Sequence, residues 1–274
     1  MSIKIGIIGG TGLESDVNIL TDVKQLKTEE TPFGCPSDEY VTEGFIGEIP
    51  VIIMGRHGKD HNISPTNVNY AANLWTLKSN GCTHVLVTTA CGSLKQQIAP
   101  GSLCIVDQYI DRTQGKRRNT IYTVSHIPQG LPFDRTLQVL IELLEESCAE
   151  NGVEYHKRVT TVTIEGPRFS TLAESRLYQS WGCDIVNMTS VPEAQLAAEM
   201  GLVYAALALV TDYDCWHCDE SESVCVELVD KRMKELKIKA SKVLVSAVKK
   251  CSAINWQQII DEKSQTAKNA IMCQ

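Results

Sequence analysis

Short β-branched runs alternate along the chain with stretches whose apolar residues recur at i, i+3 and i+4. Residues 3–8, 51–54, 84–89, 102–106, 160–164, 184–187 and 203–211 read as strands, and 68–79, 136–150, 171–180, 192–200 and 226–249 as helices. The strand runs are apolar almost without interruption, as in Val203-Tyr204-Ala205-Ala206-Leu207-Ala208-Leu209-Val210. Such runs offer water no polar face, which predicts strands buried on both sides and a mostly parallel sheet in an α/β fold. In folds of that class ligands collect outside the carboxyl ends of the strands. No Ser/Pro/Gly-rich linker, low-complexity stretch or internal repeat interrupts the pattern, so residues 1–274 read as a single domain, with 112–123 as the long polar surface loop.

Composition narrows the partners. The chain has 274 residues, of which 43% are hydrophobic and 22% charged, enough for a sizeable core. A formal charge of −7 argues against a nucleic-acid or anionic-membrane surface, while leaving room for a small anion held by a few local residues. The opening apolar run is too short for a signal or a membrane span, and no other run approaches that length. Eleven cysteines, an odd number scattered through apolar segments, fit reduced thiols. A cytoplasmic protein is expected, with a nuclear location as the alternative.

Polar clusters stand at the strand ends. The first strand runs into Gly9-Gly10-Thr11-Gly12, which serves either as a tight turn or as an anion loop; neither a dinucleotide nor a Walker pattern follows. After the second comes Gly55-Arg56-His57-Gly58, with His61 beyond it, a pairing suited to an oxyanion. Thr88-Thr89-Ala90-Cys91-Gly92-Ser93 and Asn187-Met188-Thr189-Ser190 repeat the theme of hydroxyls and small residues. One such cluster is ordinary turn chemistry; four at successive strand ends favour a shared anion site. The last long strand ends in Thr211-Asp212-Tyr213-Asp214, where period-two geometry points both carboxylates to one side. They form either an exposed or helix-capping pair or, if desolvated, an acid of raised pKa. Cys215-Trp216-His217-Cys218 has CxxC spacing but no partner motif, so it is read as packing; no metal is expected.

Taken in order, Gly9-Gly10-Thr11-Gly12, Thr31-Pro32-Phe33-Gly34, Arg56-His57-Gly58, Val68-Asn69-Tyr70, Thr88-Thr89-Ala90-Cys91-Gly92-Ser93, Ile164-Glu165-Gly166-Pro167-Arg168-Phe169-Ser170, Asn187-Met188-Thr189 and Thr211-Asp212-Tyr213-Asp214-Cys215-Trp216 resemble the purine nucleoside phosphorylase family. The likeness is to its trimeric, methylthioadenosine-cleaving branch, and it runs over nearly the whole chain. It implies an α/β fold around a mixed, distorted sheet or barrel, a homotrimer, and phosphorolysis of 5′-methylthioadenosine to adenine and 5-methylthioribose 1-phosphate. No cofactor is implied; inorganic phosphate is the co-substrate. The resemblance places Thr11, Arg56, His57, Thr89, Ala90 and Thr189 on phosphate, with His61, Asn187 and Met188 binding the nucleoside substrate, Met188 against the ribose. Phe169 would stack on the purine beside Ser170, and Asp212, Tyr213 and Asp214 would recognise the base, with Asp212 protonating N7. Val226 and Val229 would line the 5′-methylthio slot, and His126 and Met272 would reach in from a neighbouring subunit. Rival readings are a relative acting on adenosine or 6-oxopurine nucleosides, and a nucleoside-binding protein without turnover.

Overall fold

The computed structural model describes residues 3–10, 19–130, 134–217 and 226–273, the side chains of Val226, Leu228 and Cys273 excepted. The strands are β1 (Ile5–Gly9), β2 (Thr21–Lys27), β3 (Tyr40–Ile46), β4 (Ile49–Gly55), β5 (His84–Ser93), β6 (Leu103–Arg112), β7 (Val124–Ser125), β8 (Tyr155–Ile164), β9 (Ile185–Asn187), β10 (Val203–Asp212) and β11 (Ile271–Cys273). The helices are α1 (Tyr70–Ser79), α2 (Arg135–Glu150), α3 (Leu172–Ser180), α4 (Ser190–Glu199), α5 (Val226–Cys251) and α6 (Gln257–Asn269).

One sheet carries the order β10-β6-β8-β9-β5-β1-β4-β3-β2, and β10 pairs again with β5, which closes five of its strands into a barrel. The pairing is mixed. β1 runs parallel to β4 and β5, β10 to β5, and β8 to β6 and β9. β6 runs antiparallel to β10, β9 to β5, and β3 to both β2 and β4. Five of these nine pairings are parallel, as the apolar runs led one to expect of most, and the four antiparallel ones make the sheet mixed, as the resemblance implied; burial on both faces reports covering layers, not strand direction. Period two does place those layers. Ile5, Ile7, Val51, Ile53 and Leu86 pack under α2 and α5, while Ile8, Ile52, Met54, Val85 and Val87 pack under α1 and α4.

Helix starts follow local chemistry. Asn69 caps α1 through its side chain to the Ala72 N–H, Asp134 caps α2, and Thr171 with Glu174 forms a capping box on α3. Three elements escape the apolar pattern. β2 is an edge strand exposed at nearly every residue, β3 turns into β4 through Gly47, and α6 is mostly polar. β7 and β11 pair with each other in a separate two-stranded sheet. Loop 113–123 is polar but far from featureless, because it carries Arg117 into the interior at 7% exposure. Among the described residues no helix is long and apolar enough to cross a membrane, and their eight described cysteines are unpaired.

Candidate active site

The carboxyl ends of β1 and β4 stop level with one another, Gly9 opposite Gly55, and β10 ends at Asp212 beside Gly92 of β5. Over that edge lies a cavity of about 430 Å³. One part of its wall is polar, with Gly10, Arg56, His57, Thr89, Ala90 and Thr189; another carries Asp212 and Asp214; apolar faces come from Ile164, Pro167, Phe169, Val186, Met188 and Val229. The four strand-end clusters thus meet at one place. Thr11 and Val226 fall outside what can be described: Thr11 is not among the described residues, and of Val226 only the backbone is.

Arg56 leaves β4 buried at 1% exposure. Its Nε donates to Glu193 Oε1 at 2.7 Å and its Nη2 to Oε2 at 2.8 Å, while Nη1 donates to the Thr88 carbonyl at 2.8 Å. Burial works against the charged guanidinium, but the carboxylate of Glu193 more than reverses this and holds Arg56 ionised. His57 stands beside it with Nδ1 2.8 Å from the Ile63 carbonyl. A carbonyl only accepts, so Nδ1 carries the proton and Nε2 is the free nitrogen. Burial, and then the Arg56 charge, push the His57 pKa down to about 4, so it is a neutral imidazole at physiological pH. The His61 ring lies 4.6 Å from it, centroid to centroid. Thr89 and Thr189 hydroxyls are 3.0 Å apart and line the same wall. The sequence reading ends this strand at Thr89, yet β5 runs on to Ser93, so Thr89 to Gly92 form part of the cavity from within the strand.

Asp212 and Asp214 both face the cavity, though not by strand alternation. β10 bulges between Val210 and Asp212 and then stops, and Asp214 sits in a short 3₁₀ turn, Asp214–Trp216, with φ of 53°. The reversal is pinned by the Asp214 N–H, which donates to Asp212 Oδ1 at 2.8 Å. Burial raises the Asp212 pKa to about 6 against the hydrogen bonds from Thr211 and the Asp214 backbone; burial likewise raises Asp214, countered mainly by Ser175. Ser175, on α3, donates its hydroxyl to Asp214 Oδ2. Tyr213 is the exception among the expected base-facing residues. Its ring turns away, stacks 4.5 Å from His217 and donates its hydroxyl to the Gln96 carbonyl, and it is not part of the cavity wall. Cys215 of the CxxC packs against Ser175 and the Ser170 carbonyl, whereas Cys218 lies outside the described residues.

The remaining expected residues divide by position. Phe169, 39% exposed, stands on the cavity wall with Ser170. Asn187 lines the cavity, but its amide is committed: Oδ1 accepts from Thr163 at 2.9 Å and Nδ2 donates to Ser190 at 2.6 Å. Met188 packs against Gly166, where φ is +68° and an added Cβ would lie 2.4 Å from Sδ, so only glycine allows that approach. His126 and Met272 are exposed and do not line the cavity of their own chain. Both sit at the β7–β11 ribbon, where the His126 N–H donates to the Ala270 carbonyl.

Several residues that build the site carried no signal in the sequence. Arg117 donates Nε to Glu165 at 2.9 Å, Nη2 to the Glu165 carbonyl, and Nη1 to the Met188 and Val191 carbonyls, each at 2.7 Å. It thereby ties loop 113–123 to both chain segments around Met188. Glu199 accepts from Thr120 and the Ile121 N–H, each at 2.8 Å. Glu193 and Glu199, both on α4, are 1% and 5% exposed, a burial that only the fold reveals.

An anion wall, a desolvated carboxylate pair and an intervening apolar face, set on a closed mixed sheet, define a nucleoside phosphorylase type of site. The chain belongs to the phosphorylase superfamily, whose family model matches residues 4–249. It is 46% identical over 282 residues to S-methyl-5′-thioadenosine phosphorylase of Danio rerio, covering 98% of this chain and 96% of the relative. It is 48% identical over 277 residues to the protein of the same name from Ciona intestinalis, with 98% and 96% covered. Among solved structures, methylthioadenosine phosphorylase from Schistosoma mansoni in complex with adenine superposes with a TM-score of 0.92 at 36% identity, covering 99% of each chain. A variant of that protein in complex with methylthioadenosine gives a TM-score of 0.89 at 36% identity, again over 99% of each.

Proposed function

We propose that this protein cleaves S-methyl-5′-thioadenosine by phosphorolysis, giving adenine and 5-methylthioribose 1-phosphate, with inorganic phosphate as the second substrate and no cofactor. The observation that carries this reading is a carboxyl group poised near neutrality, Asp212 with a pKa of about 6, in the same cavity as an Arg56–His57–Thr89–Thr189 anion wall. The names of the relatives and the ligands in the Schistosoma structures support it.

A phosphate oxygen attacks C1′ as the C1′–N9 bond breaks, so positive charge grows on the ribose and negative charge on the leaving base. Asp212 delivers a proton to N7 and neutralises the base. Asp214 accepts from the 6-amino group, with Ser170 alongside; Phe169 covers the purine. Phosphate rests against Arg56, His57, Thr89, Ala90, Thr189 and Thr11, while His61, Asn187 and Met188, which line the same cavity, bind the nucleoside, Met188 against its ribose. Val229 and Val226 take the methylthio group. Positioning two reactants and stabilising the developing charges supply most of the rate.

Residues 1–274 act as one domain in a cytoplasmic homotrimer, in which His126 and Met272 complete a neighbour's 5′ slot; their exposure beside one another on the β7–β11 ribbon supports this. A second reading, cleavage of adenosine, is favoured by a Schistosoma relative named adenosine/methylthioadenosine phosphorylase. Release of adenine from methylthioadenosine, followed spectroscopically with and without phosphate beside adenosine and inosine, tests all of these. Phosphate-dependent release with inosine the poorest substrate is expected; inosine as the best substrate would overturn the assignment of the base site.

A further inference from the structure

We propose that Glu193, steadied by Tyr204, is a positioning residue for phosphate: it aims the Arg56 guanidinium and cancels its net charge, so the anion is recognised by directed N–H bonds. The inference rests on the proposed function and deepens it at the anion wall.

Glu193 stands on α4 and Tyr204 on β10, far from Arg56 in sequence and untouched by the anion-site motifs. Arg56 and Glu193 side chains are each 1% exposed. The carboxylate grips Nε and Nη2 as a fork at 2.7 and 2.8 Å, and the Thr88 carbonyl takes one N–H of Nη1 at 2.8 Å. That leaves one N–H on each terminal nitrogen for a ligand in the cavity that Arg56 lines. Tyr204 donates its hydroxyl to Glu193 Oε2 at 3.1 Å, and burial holds its pKa well above the ordinary value, so it remains a donor. The guanidinium plane is thus set from two sides by groups that do not reach the ligand themselves.

The charge count gives this aim its purpose. Arg56 with Glu193 is a neutral pair, and His57, with its pKa near 4, adds no positive charge. Among the described residues lining the cavity, only Arg56 is a permanent cation, since His57 and His61 are the other basic side chains there. An anion therefore gains little from long-range attraction and much from hydrogen-bond direction, which a guanidinium swung by a fraction of an ångström would lose.

The test compares Glu193→Gln and Tyr204→Phe with the wild type in steady-state kinetics and in thermal melts with inorganic phosphate alone. In Glu193→Gln the KM for phosphate rises about tenfold or more while the KM for the nucleoside stays within about twofold, a split that general loosening of the fold does not produce. Tyr204→Phe, which keeps the ring and loses one hydrogen bond, moves the phosphate KM the same way by about two- to fourfold. The stabilisation by phosphate alone shrinks in the same order. Phosphate KM and phosphate-induced melting shifts unchanged in both folded variants, or both KM values rising together, overturn the proposal. If Glu193→Gln does not fold, Tyr204→Phe decides it: unchanged phosphate binding refutes the clamp. A wild type that binds phosphate but does not cleave methylthioadenosine would refute the functional reading instead, leaving the melting shifts to judge Glu193.

Discussion

Asp212 illustrates how burial makes a reagent from an ordinary side chain. Its carboxyl is 3% exposed, and with a pKa of about 6 it holds a proton through a larger part of the physiological range than a solvated aspartate, whose value is 3.8. If it is the proton donor proposed above, Asp212→Asn lowers turnover by about a hundredfold or more while the phosphate KM stays within about twofold. Steady-state rates at varied phosphate check this; an unimpaired variant would remove Asp212 from the acid role. The same shift has a stability consequence. A carboxyl whose folded pKa is raised favours the fold below pH 3.8, and that contribution is lost as the pH climbs through about 6. Above that pH the buried charge costs on the order of 2–3 kcal/mol. Asp212→Asn should therefore melt higher than wild type at pH 8, with the advantage fading toward pH 4; a difference independent of pH would contradict the assignment.

At the level of elements, strand ends and one loop bring the chemistry together. β5 and β10 approach so closely at the site that a Cβ on Gly92 would lie 2.8 Å from Asp212 Oδ1 and 3.2 Å from Asp214 Cβ. Gly92→Ala accordingly displaces the carboxylate pair: nucleoside KM rises severalfold and the Asp212 limb of the pH–rate profile shifts, while phosphate-induced thermal stabilisation persists. Loop 113–123 is held by a buried ion pair, Arg117 with Glu165, at 2% and 7% side-chain exposure. Removing one member leaves an uncompensated buried charge, so Arg117→Met destabilises by about 3–5 kcal/mol, and adding Glu165→Gln costs little more. Denaturant unfolding of the two single variants and the double variant measures that coupling. The residue types at the strand ends marked the polar wall proposed for phosphate, because Arg, His, Thr and Gly recurred at four successive strand ends, although any one such cluster is ordinary turn chemistry. Glu193 and Arg117 gave no comparable sign, since their partners lie 137 and 48 residues away along the chain.

For the whole molecule, the exposed β7–β11 ribbon carries the prediction about assembly. If His126 and Met272 serve a neighbour's site, the protein sediments as a trimer, and Met272→Asp raises the KM for methylthioadenosine at least severalfold with phosphate binding unchanged. A monomer as active as the assembled protein would remove both residues from the 5′ slot. Apolar runs and helical periods determined most of the elements in and around the sheet, because each of those strands and helices is buried along a whole face. They could not reveal β2, β7, β11 or α6, whose residues are largely polar or exposed, nor the second pairing of β10 with β5 that closes the barrel and the antiparallel pairings within it, since partner choice and strand direction leave no trace in hydropathy. The sequence likewise determined the chemical types at the strand ends and carried the resemblance that named the reaction class. Tertiary structure alone decided that these clusters face one cavity, that Tyr213 turns out of it while a backbone reversal brings Asp214 in, and that Glu193 and Tyr204 stand behind Arg56. Charge, desolvation and hydrogen-bond direction act across a few ångströms of space, and only the fold brings residues so far apart in the chain within that range.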